Sequence, residues 1–476
     1  MNRAIWILHL AIGIASLAVA TPSYAQNVID PFKVSNYVLP PSYNGPKFVL
    51  NHDYPATRPP PITNPPWAKV SGGKPLTHDN AIAYVMALKD YVAPSMRKLL
   101  LDYPHWSPAK EGWYSMPWLF EAQEPIHGAY IGTQSFPANM FPLSGLKKEM
   151  ATWVVTMYDQ RGAYMLGQVW GQDAKKPDLS KNKAQYPEGA ITIKVALTTA
   201  RENDWPPMKG AVEWQLFAPP ATSPKGTPPQ FFPVSLFQID IIVKDSVAAP
   251  DSQWVFSTLV YDKRVTDDAW DRMVPLGAMW GNDPLVDSAE DPNAILQQSV
   301  ANPMAPLYAT ETLGYGGRLS GPNDGAVVQD VLIDGKLARR VAASSCLSCH
   351  SVAESPMKSF LLPMASTEGK QAPFYGRALP TSMDLVTGDG PNYLYKPGTM
   401  EFNSWFQSRS GSTPKDNGRI ALDYHMNLTW KALPLWAKYN PAQPPGKTLR
   451  FQGFLPELLN PAETPKNGII SPTLIH

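Results

Sequence analysis

The sequence predicts a mainly β protein with some α structure, in which an antiparallel β-sandwich forms the body and a C-terminal loop and helix region follows. Proline accounts for 51 of the 476 residues, and so much proline is incompatible with long helices or long central strands. Apolar and polar residues alternate with a period of two along the middle of the chain, which is typical of strands with one buried face. No helical pattern separates these strands, which disfavours a parallel sheet.

The composition limits the classes of protein that the chain can belong to. Its hydrophobic fraction is 44%, which is enough for a sizeable core and excludes wholesale disorder. The 41 basic and 40 acidic residues give a formal charge of +1, without the basic excess that a nucleic-acid-binding protein normally shows. We therefore expect a folded protein that does not bind nucleic acid.

Residues 1–25 have the pattern of a secretory signal peptide. Arg3 supplies the positive start, residues 4–20 are almost entirely apolar, and Ser23-Tyr24-Ala25 places small residues at the cleavage positions. We expect cleavage after Ala25, export to the periplasm and no stable membrane insertion afterwards. The alternative is an uncleaved membrane anchor, because the apolar stretch approaches spanning length.

Residues 26–75 are predicted to form a Pro-rich extended arm. The run Arg58-Pro59-Pro60-Pro61 favours a polyproline-type backbone. The aromatic residues Phe48, Tyr54 and Trp67 indicate that the arm lies over the body instead of acting as a free linker.

Residues 76–300 are predicted to form the β-rich body, and its first element is a helix. Ile82, Val85 and Leu88 have near-helical spacing. We expect the helix to be interrupted at Pro94, since proline removes a helical hydrogen bond.

The period-two alternation in the body begins at about residue 164 and continues to residue 261. Ile191, Ile193 and Val195 alternate with polar or small residues, which predicts a half-buried strand. Similar patterns occur at residues 212–216, 239–243 and 254–261. The earlier segment 147–158 is compatible with either helix or strand.

Residues 301–476 form the predicted C-terminal region, which contains the two cysteines of the chain. These are Cys346 and Cys349, and His350 follows directly. The spacing C-x-x-C-H is the attachment signature of c-type haem, because two thiols on one turn can form thioethers with the vinyl groups while the histidine becomes the proximal ligand. The predicted export agrees with covalent attachment outside the cytoplasm. We therefore predict one haem c, bound by Cys346, Cys349 and His350.

Three other interpretations of the cysteine pair are weaker. A disulfide across two residues would stabilise little, since the gain grows with loop length. A thioredoxin-like redox pair is expected beside a βαβ unit, and no such pattern surrounds it. A zinc site would have to recruit further ligands from scattered histidines or carboxylates.

The motif leaves the sixth iron ligand open, and Met400 is the first candidate. It lies in the loop Pro397–Phe402, which resembles the methionine loop of small class I cytochromes c, although that loop usually has one more residue between threonine and methionine. Methionine or histidine in this position suits electron transfer, whereas an open position suits gas binding or peroxide chemistry. The other candidates are Met357, Met364, Met383, Met426 and His425.

Other residues have both a functional and a structural interpretation. Arg339 and Arg340 could hold the haem propionates or form a solvated pair. His127 could act as a distal acid or base, but a histidine beside Pro and Gly is more often a structural loop residue. The segment Trp280–Pro284 is expected to form a turn with a structural role.

Several stretches outside the haem motif carry a resemblance to a known family. They are Ser115–Trp118, Glu124–Gly128, Phe237–Asp240, Trp254–Phe256, Met279–Pro284, Gly317–Pro322 and Ser344-Ser345. Through them the mature chain resembles exported bacterial monohaem proteins of the "cytochrome c family", of about this length. The resemblance implies an exported haem protein with a β-rich body, and it does not settle a reaction.

Two functions from different classes are compatible with these features. The first is one-electron transfer through the covalently bound haem, with an unidentified redox partner protein. The alternative is a periplasmic haem enzyme, peroxidase- or oxygenase-like, with an open iron position and a substrate pocket in the β body. We favour electron transfer because it requires fewer additional features, and a binding module with a structural haem is a third option.

Overall fold

An eight-stranded antiparallel sheet is the main element of the fold. The computed structural model describes residues 29–136, 138, 141, 143–224, 226–286, 294–313, 317–323, 329–333, 336–341, 345–356 and 407–440, with the backbone alone at 133–135, 329–333 and 336–341. The predicted signal peptide, residues 1–25, lies outside these residues.

The strands of the large sheet are mostly consecutive neighbours. They are β1 (Tyr130–Phe136), β2 (Met150–Tyr158), β3 (Ile191–Thr198), β4 (Glu213–Ala218), β5 (Gln230–Lys244), β6 (Trp254–Tyr261), β7 (Met273–Met279) and β8 (Ser299–Ala301). The order is β1-β2-β3-β5-β6-β7-β8, and β4 pairs with the first part of β5. The segment 147–158, compatible with helix or strand in the sequence, is thus largely strand β2.

The prediction of a mainly β fold with an antiparallel sheet and some helices is confirmed, but the sandwich is not what the described residues form. Their other strands make two small sheets, β9 (Gln329–Ile333) with β10 (Lys336–Val341) and β11 (Glu354–Ser355) with β12 (Ile420–Ala421). One large sheet therefore forms the body, and helices and loops pack on it in place of a second sheet of similar size.

The central strands are buried on both faces, although their alternation predicted a half-buried sheet. On one face Ile193, Val195 and Ile239 are fully buried. On the other, Lys194 lies opposite Asp240 in the register, and their charged groups are 3.0 Å apart. Because the charges of Lys194 and Asp240 neutralise each other, the second face of the sheet can also be buried.

The predicted first helix is longer than expected. Helix α2 spans Ala81–Leu101 and passes through Pro94. Proline at this position removes one backbone hydrogen bond, but Val92 and Met96 on either side of it are buried and hold the continuation against the body. Tertiary packing here outweighs the local preference for a break.

A second helix lies where the alternation with a period of two predicts strand. Helix α4 spans Gln160–Trp170. Its N-cap is Asp159, whose side chain accepts hydrogen bonds from the backbone N–H groups of Arg161 and Gly162. A cap of this kind stabilises the first turn.

The described part of the Pro-rich arm is attached to the body by hydrogen bonds. The Phe48 N–H donates to the Ile126 carbonyl at 2.8 Å, and the Tyr54 hydroxyl donates to the Ser115 carbonyl at 2.7 Å. The arm also contains a short helix, α1 (Pro66–Ser71).

The remaining α-helices of the described residues are short. They are α3 (Pro108–Glu111), α5 (Leu307–Thr310), α6 (Cys346–His350) and α7 (Leu433–Tyr439), the last preceded by a π-helical turn, Leu428–Ala432. Within the ranges that the structure describes, no helix combines the length and the apolar character that crossing a bilayer requires.

Candidate functional site

The C-x-x-C-H motif forms a helix of its own, α6, which a reciprocal cap holds in place. Ser345 precedes the helix, and its hydroxyl accepts from the Ser348 N–H at 3.1 Å while the Ser348 hydroxyl accepts from the Ser345 N–H at 3.0 Å. This capping box satisfies two backbone donors that a short helix would otherwise leave unpaired.

Two earlier segments, residues 279–284 and 317–322, contact this helix and its N-cap residue. The Ser345 hydroxyl donates to the side-chain oxygen of Asn282 at 2.6 Å, and the Cys346 N–H donates to the Leu319 carbonyl at 3.1 Å. Arg318 donates in turn to the carbonyls of Asn282 and Asp283. These residues position the motif helix, which agrees with the structural interpretation of Trp280–Pro284.

The two thiols lie on one helical turn and are not joined by a disulfide. Cys346 is 6% exposed and Cys349 is fully buried. His350 lies on the same turn and is only partly buried. The helix therefore presents the predicted donor set, two thiols and one imidazole, as a single local unit.

The imidazole of His350 is oriented by the backbone of a distant segment. Its Nδ1 lies 2.8 Å from the Tyr424 carbonyl oxygen, and its ring packs edge-on against Phe256 with a centroid distance of 4.8 Å. A carbonyl can only accept, so Nδ1 carries the proton. In a neutral imidazole this tautomer leaves the lone pair on Nε2, which is the arrangement of a metal-ligating histidine.

The carbonyl that contacts His350 belongs to a strained turn. Asp423 and Tyr424 are consecutive and have φ values of 48° and 66°, a region that residues other than glycine occupy only at an energetic cost. The Asp423 carboxylate accepts hydrogen bonds from Trp254 Nε1 at 2.8 Å and the Tyr186 N–H at 2.7 Å, and it pairs with Lys244. These contacts hold the turn in the strained conformation.

A cavity lies between this turn and the polar face of the large sheet. Its wall is rich in aromatic rings and polar groups, and His350 forms part of it. The lining residues are Tyr130, Thr156, Tyr158, Tyr186, Thr192, Lys194, Ile242, Trp254, Phe256, His350, Asp423, Tyr424, His425, Met426 and Asn427. The sheet register explains the grouping, since Tyr158 lies opposite Thr192 and Ile242 opposite Phe256.

Hydrogen bonds connect the polar side chains of the cavity. The Tyr158 hydroxyl lies 2.8 Å from His425 Nε2, and Asn427 Nδ2 donates to the Tyr130 hydroxyl at 2.8 Å. The Tyr130 hydroxyl is also 2.6 Å from Thr156 Oγ1. Burial lowers the pKa of His425 to about 3, so this imidazole is neutral at neutral pH, and its Nδ1 has no hydrogen-bond partner among the described residues.

The structure brings only some of the candidate ligands to this site. His425 and Met426 line the same cavity as His350. Met400 lies outside the described residues, as do Met357, Met364 and Met383. The side chains of Arg339 and Arg340 are also outside the description, which gives only the backbone of β10.

His127 is part of an aromatic cluster, and it is not among the residues that line the described cavity. Its ring stacks on Trp214 with a centroid distance of 4.7 Å and meets Phe48 edge-on. The Nδ1 atom is 3.5 Å from a Glu124 carboxylate oxygen, and the side chain is 1% exposed. These contacts favour the structural interpretation of this histidine.

Sequence patterns do not reveal the residues that orient His350. The roles of Asp423, Tyr424 and Lys244 depend on contacts between residues more than 70 positions apart. One local signal is present, since His425 and Met426, both ligand candidates, directly follow Asp423 and Tyr424 in the sequence.

No family model, curated protein or solved structure matches this chain. Across the described ranges, no group of three or more His, Cys, Asp or Glu side chains is arranged to hold a metal ion.

Proposed function

We propose that the chain is an exported monohaem c-type cytochrome, which transfers one electron at a time through a haem c bound to Cys346 and Cys349. The observation that carries the proposal is the C-x-x-C-H helix whose histidine donates its Nδ1 proton to the Tyr424 carbonyl. A c-type haem requires two thiols on one turn and a neighbouring imidazole that ligates through Nε2.

The residues of the helix fit this group. The thiols are separated by two residues and are not joined to each other, so each is available to form a thioether. The capping box keeps Cys346, Cys349 and His350 on one turn, which fixes the spacing between the thiols and the imidazole. When bound, the haem supplies an iron centre that accepts and releases one electron.

The protein would tune this centre through the contacts of His350. The hydrogen bond to Tyr424 fixes the tautomer and the rotation of the imidazole, and it makes Nε2 a stronger donor. The Phe256 ring beside the imidazole limits its movement and excludes water from one edge. Both effects hold the ligand in one orientation during a change of redox state.

Met400 is the proposed sixth ligand. Its loop, Pro397–Phe402, resembles the methionine loop of small class I cytochromes c, and a methionine sulfur suits electron transfer. The rival candidates His425 and Met426 line the same cavity as His350, and ligation through His425 Nε2 would break its 2.8 Å contact with the Tyr158 hydroxyl.

The predicted signal peptide supports a periplasmic location, where haem c is attached. In this proposal the chain exchanges electrons with a redox partner protein, and it does not bind nucleic acid or stay inserted in the membrane.

Expression of the full chain with a working haem-attachment system tests the proposal. We expect the purified protein to gain the mass of one haem, on a chain beginning near Gln26, and we expect haem attachment to be weaker in Cys346→Ala and in Cys349→Ala. We also expect the ferrous protein not to bind carbon monoxide rapidly. A folded protein without the added mass would overturn the haem assignment, and rapid carbon monoxide binding would favour the haem enzyme with an open iron position.

A further inference from the structure

We propose that Asp423 is a positioning residue for His350, acting through the backbone turn whose carbonyl accepts the Nδ1 proton. This inference rests on the proposed function, because it concerns the proximal ligand of the haem. It assigns a role in tuning the iron to a buried carboxylate that does not itself touch the imidazole.

The first support is the set of donors that converge on Asp423. Its side chain is fully buried and receives the Trp254 indole N–H, the Tyr186 backbone N–H and the Lys244 ammonium. Lys244 ends β5 and Trp254 begins β6, so two neighbouring strands of the large sheet hold one carboxylate. A buried charge with this many donors is fixed in position.

The second support is the conformation of the turn. Two consecutive non-glycine residues with positive φ persist only where the surroundings determine them. The Asp423 N–H donates to the Gly411 carbonyl at 3.1 Å, and the Tyr424 hydroxyl donates to the Arg409 carbonyl at 2.8 Å. The turn is thus fixed at both residues, and its strained conformation presents the Tyr424 carbonyl to His350.

The consequence for the ligand follows from the chemistry of the hydrogen bond. A well-aligned acceptor at Nδ1 increases electron donation from Nε2, which stabilises ferric iron and lowers the reduction potential. If the hydrogen bonds to the Asp423 carboxylate are weakened, the turn can relax and the Tyr424 carbonyl can move away from His350. We expect the His350 hydrogen bond to weaken and the potential to rise.

Asp423→Asn is the direct test, since it keeps the shape of the side chain and removes one acceptor oxygen. The amide NH₂ of Asn would face a donor in either orientation. In one it would meet Trp254 Nε1, and in the other it would meet the Tyr186 N–H and the Lys244 ammonium. In the haem-loaded full chain we expect a higher reduction potential than in the unmodified protein. We also expect the His350 Nδ1 proton to exchange with solvent faster by about tenfold or more. Trp254→Phe removes only one donor, and we expect a smaller change in the same direction.

Asp245→Asn is the matched control. Asp245 is also a buried carboxylate, which accepts from the Tyr84 hydroxyl at 2.7 Å and the Ala248 N–H at 2.8 Å, but it does not line the cavity. We expect this variant to lose stability without a change in potential. An unchanged potential and an unchanged exchange rate in Asp423→Asn would overturn the inference.

The outcomes separate this inference from the proposed function. If Asp423→Asn does not fold, Trp254→Phe decides, and an unchanged potential and exchange rate there would overturn the positioning role. If the unmodified protein carries no covalent haem, the proposed function itself fails.

Discussion

The Nδ1 atom of His350 lies 2.8 Å from the backbone oxygen of Tyr424, a residue 74 positions further along the chain. This hydrogen bond joins the C-x-x-C-H helix to a turn anchored on the large sheet. Two residues of the sheet, Lys244 and Trp254, contact Asp423 in this turn. The proposed haem ligand is therefore oriented by the β body and not by its own helix alone.

The neutral imidazole of His425 predicts a pH dependence of stability. Burial lowers its pKa to about 3 in the folded protein, whereas an unfolded histidine titrates near 6.5. Between about pH 6.5 and pH 3 the unfolded chain binds a proton that the folded chain does not, so the free energy of unfolding falls as the pH falls. The slope from this group is at most about 1.4 kcal/mol per pH unit.

Urea unfolding of His425→Gln at a series of pH values measures this contribution. We expect a shallower dependence than in the unmodified protein between about pH 3 and pH 6.5. His78→Gln serves as the control, since His78 is exposed and should leave the dependence unchanged. The same slope in His425→Gln and the unmodified chain would contradict the prediction.

Gly411 is predicted to tolerate no side chain. A Cβ atom at this position would overlap Oδ1 of Asp423, so either the turn or the carboxylate would have to move. We expect Gly411→Ala to lower the free energy of unfolding by about 1–3 kcal/mol and to reduce the yield of haem-loaded protein.

The neighbouring residue supplies the control for Gly411. Ser412 is exposed, and we expect Ser412→Ala to change the free energy of unfolding by no more than about 0.5 kcal/mol. Equal stability of the two variants in urea unfolding would show that the turn is less tightly packed than the structure indicates.

Local patterns predicted much of the fold but little of the surroundings of the site. The alternation at Ile191 and Ile193 predicted strand β3, because the period of two is a local property of a strand. The burial of Lys194 depends on Asp240, which lies opposite it in another strand, and the continuation of α2 past Pro94 depends on packing against the body.

The candidate site shows the same division. Cys346, Cys349 and His350 could be proposed as haem-binding residues because the chemistry of haem attachment fixes the spacing of such residues within one turn. The ion pair of Asp423 with Lys244 could not be predicted, since Lys244 is 179 positions away and nothing in either local sequence indicates the pairing. Only the fold brings the two charges together.

The last prediction concerns the sixth ligand, on which the choice between electron transfer and a haem enzyme depends. With Met400 bound, we expect the ferric protein to show the weak long-wavelength band of a sulfur-to-iron transition and the iron to have no vacant position. Met400→Ala should abolish this band and allow the ferrous protein to bind carbon monoxide.

Met426→Ala is the matched control, because Met426 is 2% exposed and lies beside the Tyr424 turn. It should destabilise the protein by about 2–5 kcal/mol through the cavity it creates, yet retain the band. Loss of the band in Met426→Ala and not in Met400→Ala would identify Met426 as the ligand and contradict the assignment of Met400.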